Sequence, residues 1–508
     1  MNLIENKHSP HSSNFSNHKI QNEDLIKCFR EQNYKESALL SSNVILKDEY
    51  NVLAYSIKGL SLSALGEKDE AIKILLVGIS KNPNNSDLCN NLANIYLEKH
   101  DFNKSKEYAK KAVSLNPFCS SSYFTLGVSL NACKETNEAI MAFKKSFKLN
   151  PKNSHALLEI GNLYKDKKDF AKSLDIYRKY QKHFPSHIEG FYNESCIHLR
   201  NQRFKIGWGN YDTALKDKSR SVSSGYYEED DKILWDGKPF DGSLLIYGEQ
   251  GLGDQIIFGT VIPDLLKVQK NVILKVNNKL VKFFKYNFKN ISVYSENEKI
   301  PKYSYEKYIA IGSLCKYFRN SISDFTCSTF KGFNVPKKPL ELKKLFANNN
   351  PIIGVSWYTT NFKTSVNRSL SCEEISKIIS QSGYNFVNLQ YGKIENQIEK
   401  IQQLTNNGIL NNLDIDLTND INALSNLILN CDLVLTIDNT TAHLSSSIGQ
   451  KTWVLLPYSA DFRWFENSQK SLWYKTATLF RQHSNKNWDP TIKEILNQLN
   501  QKTFVKEN

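Results

Sequence analysis

Two hydrophobic patterns divide this chain. Up to about residue 215 the apolar residues sit in helix-length segments separated by short polar turns, and prolines recur at 83, 117, 151 and 185, each 34 residues after the last. Beyond residue 242 the apolar residues instead gather in short β-branched runs that alternate with helical stretches. The runs at 244–247, 272–276, 308–311, 352–357, 386–389, 415–417 and 433–437 read as strands buried on both faces of parallel sheets. Helices are predicted over 255–268, after Ser313, and over 442–448, the last stopped by Gly449.

A fixed 34-residue period closed by proline is the mark of the tetratricopeptide repeat, a helix-turn-helix that stacks on its neighbours. Small residues fall where two helices must approach, at Gly59, Ala93, Gly127 and Gly161, with Tyr96 and Tyr164 three positions on and Ala71 and Ala139 in the second helices. Residues 23–46 read as an atypical capping pair, and 188–215 as helices that leave the consensus and seal the array. The domain plan is therefore a tail at 1–22, a repeat superhelix at 23–218, a linker at 219–241 rich in Ser, Gly, Asp and Glu, and two strand-helix domains at 242–340 and 351–500. Such a superhelix does no chemistry; its groove suits an extended peptide or a partner protein.

Composition narrows the class. With 40% hydrophobic and 12% aromatic residues the 508-residue chain is globular and large enough for about three cores. No apolar run approaches the roughly 20 residues of a membrane helix, and the polar N-terminus lacks a signal-peptide core, so a cytoplasmic protein without a transmembrane segment is expected. The nine cysteines are scattered, with no zinc-like spacing. The net charge of +14 is spread along the chain among many asparagines, which points to compositional drift or anionic substrates rather than to nucleic acid.

Three stretches carry candidate chemistry. After the strand at 433–437, Asp438, Asn439, Thr440 and Thr441 stand where a helix begins, a place whose free N–H groups and dipole suit a phosphate, and Asp438 and His443 straddle it. After the strand at 244–247 comes Gly248-Glu249-Gln250-Gly251-Leu252-Gly253-Asp254, a turn in which Gly251 and Gly253 let backbone approach a ligand. Ile256 occupies the third glycine position of the dinucleotide fingerprint, which argues against a nicotinamide enzyme. Asp254 is either a plain helix cap or a carboxylate placed for general-base work. The polar loop 359–368 offers Lys363 and Arg368 to a diphosphate.

The loop 248–254, Gly354-Val355-Ser356-Trp357, Asn388-Leu389-Gln390-Tyr391-Gly392, the stretch 438–443 and Trp453 through Trp464 together resemble the glycosyltransferase family 9 proteins over about residues 200–495. These include the ADP-heptose:lipopolysaccharide heptosyltransferases and bacterial relatives bearing tetratricopeptide repeats. In layout the chain also looks like the eukaryotic O-linked N-acetylglucosamine transferases. The resemblance implies an α-solenoid followed by an α/β GT-B fold of two Rossmann-like domains, and an inverting, metal-independent transfer from a nucleotide-sugar that needs no other cofactor. It also implies a protein or glycan acceptor. Asp254 matches the family's proposed base, and Asp438 and His443 match its donor motif. Thr440 and Thr441 stand where the heptosyltransferases often carry Gly. Lys363 matches the phosphate-binding lysine approximately, Gln390 falls in a donor-side motif, and Glu395 is a weaker candidate for the ribose. The alternative is a degenerate scaffold in which the same region does no chemistry.

Overall fold

The computed structural model describes residues 15–215 and 233–501, apart from 337–339, 347, 360–367, 393, 407, 412 and 485–486. The chain divides into two compact units, residues 1–164 and 165–508.

The first unit is helical: α1 (Phe15–Arg30), α2 (Tyr34–Lys47), α3 (Val52–Ala64), α4 (Lys68–Lys81), α5 (Ser86–Glu98), α6 (Phe102–Leu115), α7 (Ser120–Ala132), α8 (Thr136–Leu149) and all but the end of α9 (Ser154–Asp166). Sequence spacing explains the pairing. Glycine at 59 and 127 lets the paired helices come close, since a Cβ there would stand 2.7 Å from Leu75 and 2.6 Å from Phe143 on the partner helix, which would have to shift. Ala71, Ala93 and Ala139 are fully buried at the same contacts. Asn51 and Asn85 cap α3 and α5 by accepting from the N–H groups of Ala54 and Leu88, each at 2.9 Å. Helix α1 starts at Phe15, so the polar N-terminus is helical earlier than the tail expected to residue 22, and residues 1–14 lie outside the described residues.

The backbone reveals a second marker with the same 34-residue period. Gln32, Gly66, His100, Lys134, Lys168 and Gln202 all take a left-handed conformation, with φ between 59° and 87°, at the turn inside each helical pair. Among the described residues six helical pairs are thus present, from α1/α2 to α11 (Glu189–Arg200) with α12 (Phe204–Ala214). The last pair departs from the consensus less than its sequence suggested. Ser195 is fully buried, and a Cβ on Gly207 would stand 2.6 Å from Leu199.

The second unit contains α10 (Phe170–His183), α11, α12 and two parallel five-stranded sheets. The division falls at residue 164 rather than at the linker because Leu199, Phe204, Trp208, Tyr211 and Leu215 bury into the core of the first sheet. Residues 219–232 of the expected linker lie outside the described residues, but its end does not behave as one: Ile233–Leu234 forms β1 and Trp235 is buried. Among the described residues the α/β region is therefore already present at residue 233, ahead of 242.

The first sheet also contains β2 (Leu244–Tyr247), β3 (Val272–Val276), β4 (Ser292–Ser295) and β5 (Lys307–Ala310), in the order β1-β5-β2-β3-β4. The second contains β6 (Ile352–Ser356), β7 (Asn385–Asn388), β8 (Leu433–Ile437), β9 (Thr452–Leu456) and β10 (Ala477–Arg481), in the order β7-β6-β8-β9-β10. Both faces of the second sheet are packed. Leu433, Leu435, Ile437, Trp453 and Leu455 point into one cluster, while Val434, Val454 and Leu456 join the core shared with the first sheet.

Two expected elements are corrected. Residues 415–417 form a loop and turn rather than a strand, because the Asp416 carboxylate accepts the N–H groups of Thr418 and Asn419 at 2.9 Å and curls the chain. The helix foreseen over 255–268 runs from Leu252 to Gly259 and resumes over Ile262–Leu265, interrupted just before Pro263, which has no N–H to continue the ladder.

In open parallel sheets the ligand crevice lies at the carboxyl ends of the strands where the strand order reverses. Here those points fall between β2 and β5 in one sheet and between β6 and β8 in the other. The loop 248–254 leaves the first and Asp438 leaves the second.

The left-handed turns generate a prediction. Lys134 is exposed and pays the steric cost of φ 68°. Lys134→Gly is expected to stabilise the protein by about 0.5–1 kcal/mol, seen as a raised midpoint in urea denaturation. An unchanged or lowered midpoint would show that this turn carries no strain.

Candidate functional site

The helix Thr440–Ser447 begins directly after β8, and its cap is Asn439, whose side chain accepts from the Ala442 N–H at 3.3 Å. Asn439 also donates to Ser356 at the end of β6, 2.8 Å away, tying the two strands together at the switch point. Asp438 is thereby released from capping. Its Oδ1 accepts from the Trp464 indole N–H at 2.7 Å, and its Oδ2 lies 3.3 Å from the Arg368 guanidinium without a hydrogen bond. Burial pushes the Asp438 carboxyl above its usual range, against the pull of Arg368.

From Arg368 the charges continue in alternation. Its guanidinium lies 3.6 Å from Asp461, Asp461 receives Arg463 at 2.6 Å, and Arg463 also pairs with Asp254 and donates to Gln250 at 3.2 Å. One chain of carboxylates and guanidiniums thus runs from the switch point of the second sheet to the loop leaving the first. Arg463 lies over the rings of Phe462 and Phe258, which shield it from water. Burial disfavours the charged Asp461, yet Arg463 and Arg368 hold its carboxyl down at about 2. Asp254 differs: burial pushes it up despite Arg463. Its side chain keeps 21% exposure and that of Arg368 keeps 26%, so these two remain open to a ligand.

The capping reading of Asp254 holds. Its second oxygen accepts from the Gly251 N–H at 3.0 Å, so it caps its own helix while facing Arg463. Packing also favours glycine at position 253, since a Cβ there would stand 2.9 Å from the His443 ring. His443 is buried and stacked on Trp464, with centroids 4.9 Å apart and planes 14° off parallel, and its Nδ1 lies 3.2 Å from the Tyr474 hydroxyl. Burial, and then Arg463, push the imidazole down to about 3. It is neutral at neutral pH and reaches Asp438 through the Trp464 indole.

The remaining sequence candidates are scattered in role. Gln390 is buried and holds the loop after β6: its Oε1 accepts from Ser356, Trp357 and Tyr358 and its Nε2 donates to the Tyr391 carbonyl. Thr440 is half-buried and lies near the Tyr391 hydroxyl, while the Thr441 hydroxyl is buried without a hydrogen-bond partner. Glu395 is exposed in the first turn of the helix Glu395–Leu404. Lys363 lies outside the described residues.

Asp461, Arg463, Trp464 and Glu249 had not been singled out as site residues. The available signal was the density of charged and aromatic residues at 461–464, which alternation alone does not interpret. Glu249 is fully buried at the first switch point, where its Oε1 accepts from the Gly312 N–H at 2.9 Å and the Tyr211 hydroxyl at 3.1 Å, while Oε2 has no partner. Burial raises its carboxyl to about 8.

Comparison with known proteins places the repeats firmly. Residues 86–119 and 120–153 match one tetratricopeptide-repeat model and 155–187 match another. The chain carries tetratricopeptide repeats. Protein FlbA of Caulobacter vibrioides is 24% identical over 455 residues, covering 81% of this chain and 72% of that protein. General transcription factor 3C polypeptide 3 of Homo sapiens is 29% identical over 116 residues, covering 23% of this chain and 13% of the relative. Among solved structures, Pseudomonas aeruginosa pilF covers 39% of this chain and 87% of its own, at 16% identity and a TM-score of 0.33. No helix among the described residues is long and apolar enough to cross a membrane.

The Glu249 carboxyl sets a pH dependence. Its folded value of about 8 lies above the unfolded value of 4.5, so the contribution of this group to stability is complete below 4.5 and is lost as pH rises through about 8. Glu249→Gln removes this titration. The variant is expected to gain on the wild type as pH rises from 5 to 9, by on the order of 3 kcal/mol at the upper end. Thermal midpoints across that range test this, and parallel curves for the two proteins would contradict it.

Proposed function

We propose that the α/β region is a GT-B glycosyltransferase that moves a sugar from a nucleoside-diphosphate sugar to a hydroxyl of a protein or glycan acceptor, inverting the anomeric carbon. The repeats recruit the acceptor or a partner protein. The observation that carries the reading is the charge chain joining Asp254, which leaves one strand-order reversal, to Asp438, which leaves the other. The family 9 motifs quoted above supply the identity of the chemistry, and the tetratricopeptide repeats supply the protein-binding element.

In this reading Asp254 takes the proton of the acceptor hydroxyl as the oxygen attacks the anomeric carbon. Burial raises its basicity, Arg463 fixes its orientation, and its exposed edge admits the hydroxyl. The C–O bond to the leaving diphosphate breaks on the opposite side, and the developing negative charge falls to Arg368, the more open of the two guanidiniums, with the first turn at Thr440 and Thr441 beside it. Lys363, outside the described residues, is the remaining cation proposed for the diphosphate. His443 contributes packing rather than charge, keeping Trp464 against Asp438.

A second reading has its own support. Both oxygens of Asp254 already have partners within the protein, as they would in a scaffold that had lost its chemistry. Transfer assays with labelled nucleotide-sugars separate the two. Asp254→Asn is expected to cut transfer by about 10²–10⁴ while leaving donor binding intact, the scale of a lost general base. Full activity in the variant would remove Asp254 from the mechanism, and no turnover by the wild type with any donor would favour the scaffold.

A further inference from the structure

The stretch 458–466 carries Asp461, Arg463 and Trp464, and it is gripped by the sixth helical pair. Arg200, the last residue of α11, is 3% exposed; its Nε pairs with Glu466, its Nη1 donates to Ser459 at 2.9 Å and its Nη2 to the Tyr458 carbonyl at 3.4 Å. The Glu466 N–H donates back to the Arg200 carbonyl at 2.8 Å. Lys168, the left-handed residue at the turn before α10, pairs with the other Glu466 oxygen at 2.6 Å and stands over the Tyr458 ring. Burial works against the charged Glu466, but Arg200 and Lys168 hold its carboxyl below the usual range. Both ends of the stretch are therefore tied to helical-pair turns.

Between those ends the backbone is strained. Phe465 has φ 52° and ψ 172°, a region that residues other than glycine occupy only when their surroundings impose it. The imposing contacts are visible: its ring is buried edge-on to Phe204 at 5.7 Å and to Phe325 at 5.6 Å. Phe204 begins α12, four residues after Arg200, across the left-handed Gln202. From the other side Arg481 of β10 donates to the carbonyls of Trp464 and Phe465 at 2.7 and 2.8 Å.

We propose that Arg200, a residue of the helical array, is a positioning residue for the α/β site: it fixes the stretch that aims Arg463 at Asp254 and the Trp464 indole at Asp438. This rests on the proposed nucleotide-sugar site for its consequence in binding, but not for its geometry. The array would then complete the site rather than merely precede it.

The test compares Arg200→Met and Arg200→Lys with the wild type by two readouts on the full chain. The first is the ¹⁵N-indole spectrum of the seven tryptophans, with Trp464 assigned by Trp464→Phe and Trp235, which donates to the Lys238 carbonyl in the first sheet, as the internal control. The second is calorimetric affinity for the tightest-bound of UDP, ADP, GDP and CMP. Arg200→Met is expected to shift the Trp464 resonance, leave that of Trp235 in place and weaken binding at least tenfold, with Arg200→Lys intermediate. An unmoved Trp464 resonance overturns the proposal, as does an equal shift of Trp235, which would mark a general loss of structure. If Arg200→Met does not fold, Lys168→Met is the milder variant and must shift the Trp464 resonance while leaving that of Trp235 in place. Should the wild type bind none of the nucleotides, the functional reading fails while the indole spectrum still decides the positioning role.

Discussion

Arg463 is the group on which the architecture of the second unit turns. It is buried against the rings of Phe462 and Phe258, and because a guanidinium is always charged its burial is offset by Asp254 and Asp461, which face it from two different strand-end loops. A buried guanidinium with one carboxylate removed is a heavy penalty, so the pairs force the loop after β2 and the loop after β9 to meet. That meeting brings the two strand-order reversals together. Gly253 favours it, because a Cβ there would stand 2.9 Å from the His443 ring and one of the two would have to shift.

The remaining features follow from this constraint. The charges alternate, so no carboxylate on the path from Asp254 to Asp438 lacks a neighbouring cation, yet their states differ. Asp461 lies between two guanidiniums and is held strongly ionised, whereas Asp254 and Asp438 are raised by burial and so remain the more basic groups. A row of similar residues thereby acquires distinct roles, with a locked carboxylate in the middle and adaptable ones at the ends. The neutral His443 and the Trp464 indole complete the wall without adding charge.

Much of this was legible in the sequence, for reasons that differ by region. The proline period fixed the repeats because one residue type recurs at one structural position. The turn marker with the same period was hidden, since only Gly66 among its six positions is glycine. Several strands buried on both faces announced themselves as apolar runs, but β9, just as buried, and β10 were not read as strands from the sequence. Nor were β1, exposed and two residues long, and β4, half serine. Asp254, Asp438 and His443 could be picked out because each sits at a strand-to-helix turn. Arg463 could not, because its partners are brought to it by the fold: Asp254 lies 209 positions away in the chain. Gln390 shows what a motif position does not reveal, since its side chain braces the neighbouring loop.

The central claim is that the meeting of the two sheets forms a site for a nucleotide-sugar. Isothermal titration of the whole protein with UDP, ADP, GDP, CMP and their common sugar conjugates, repeated on Arg368→Met, tests it most directly. The account predicts saturable binding of one nucleotide family to the wild type, weakened at least tenfold in the variant while the thermal midpoint holds. Absence of binding to every nucleotide, or binding that Arg368→Met leaves unchanged, would contradict it.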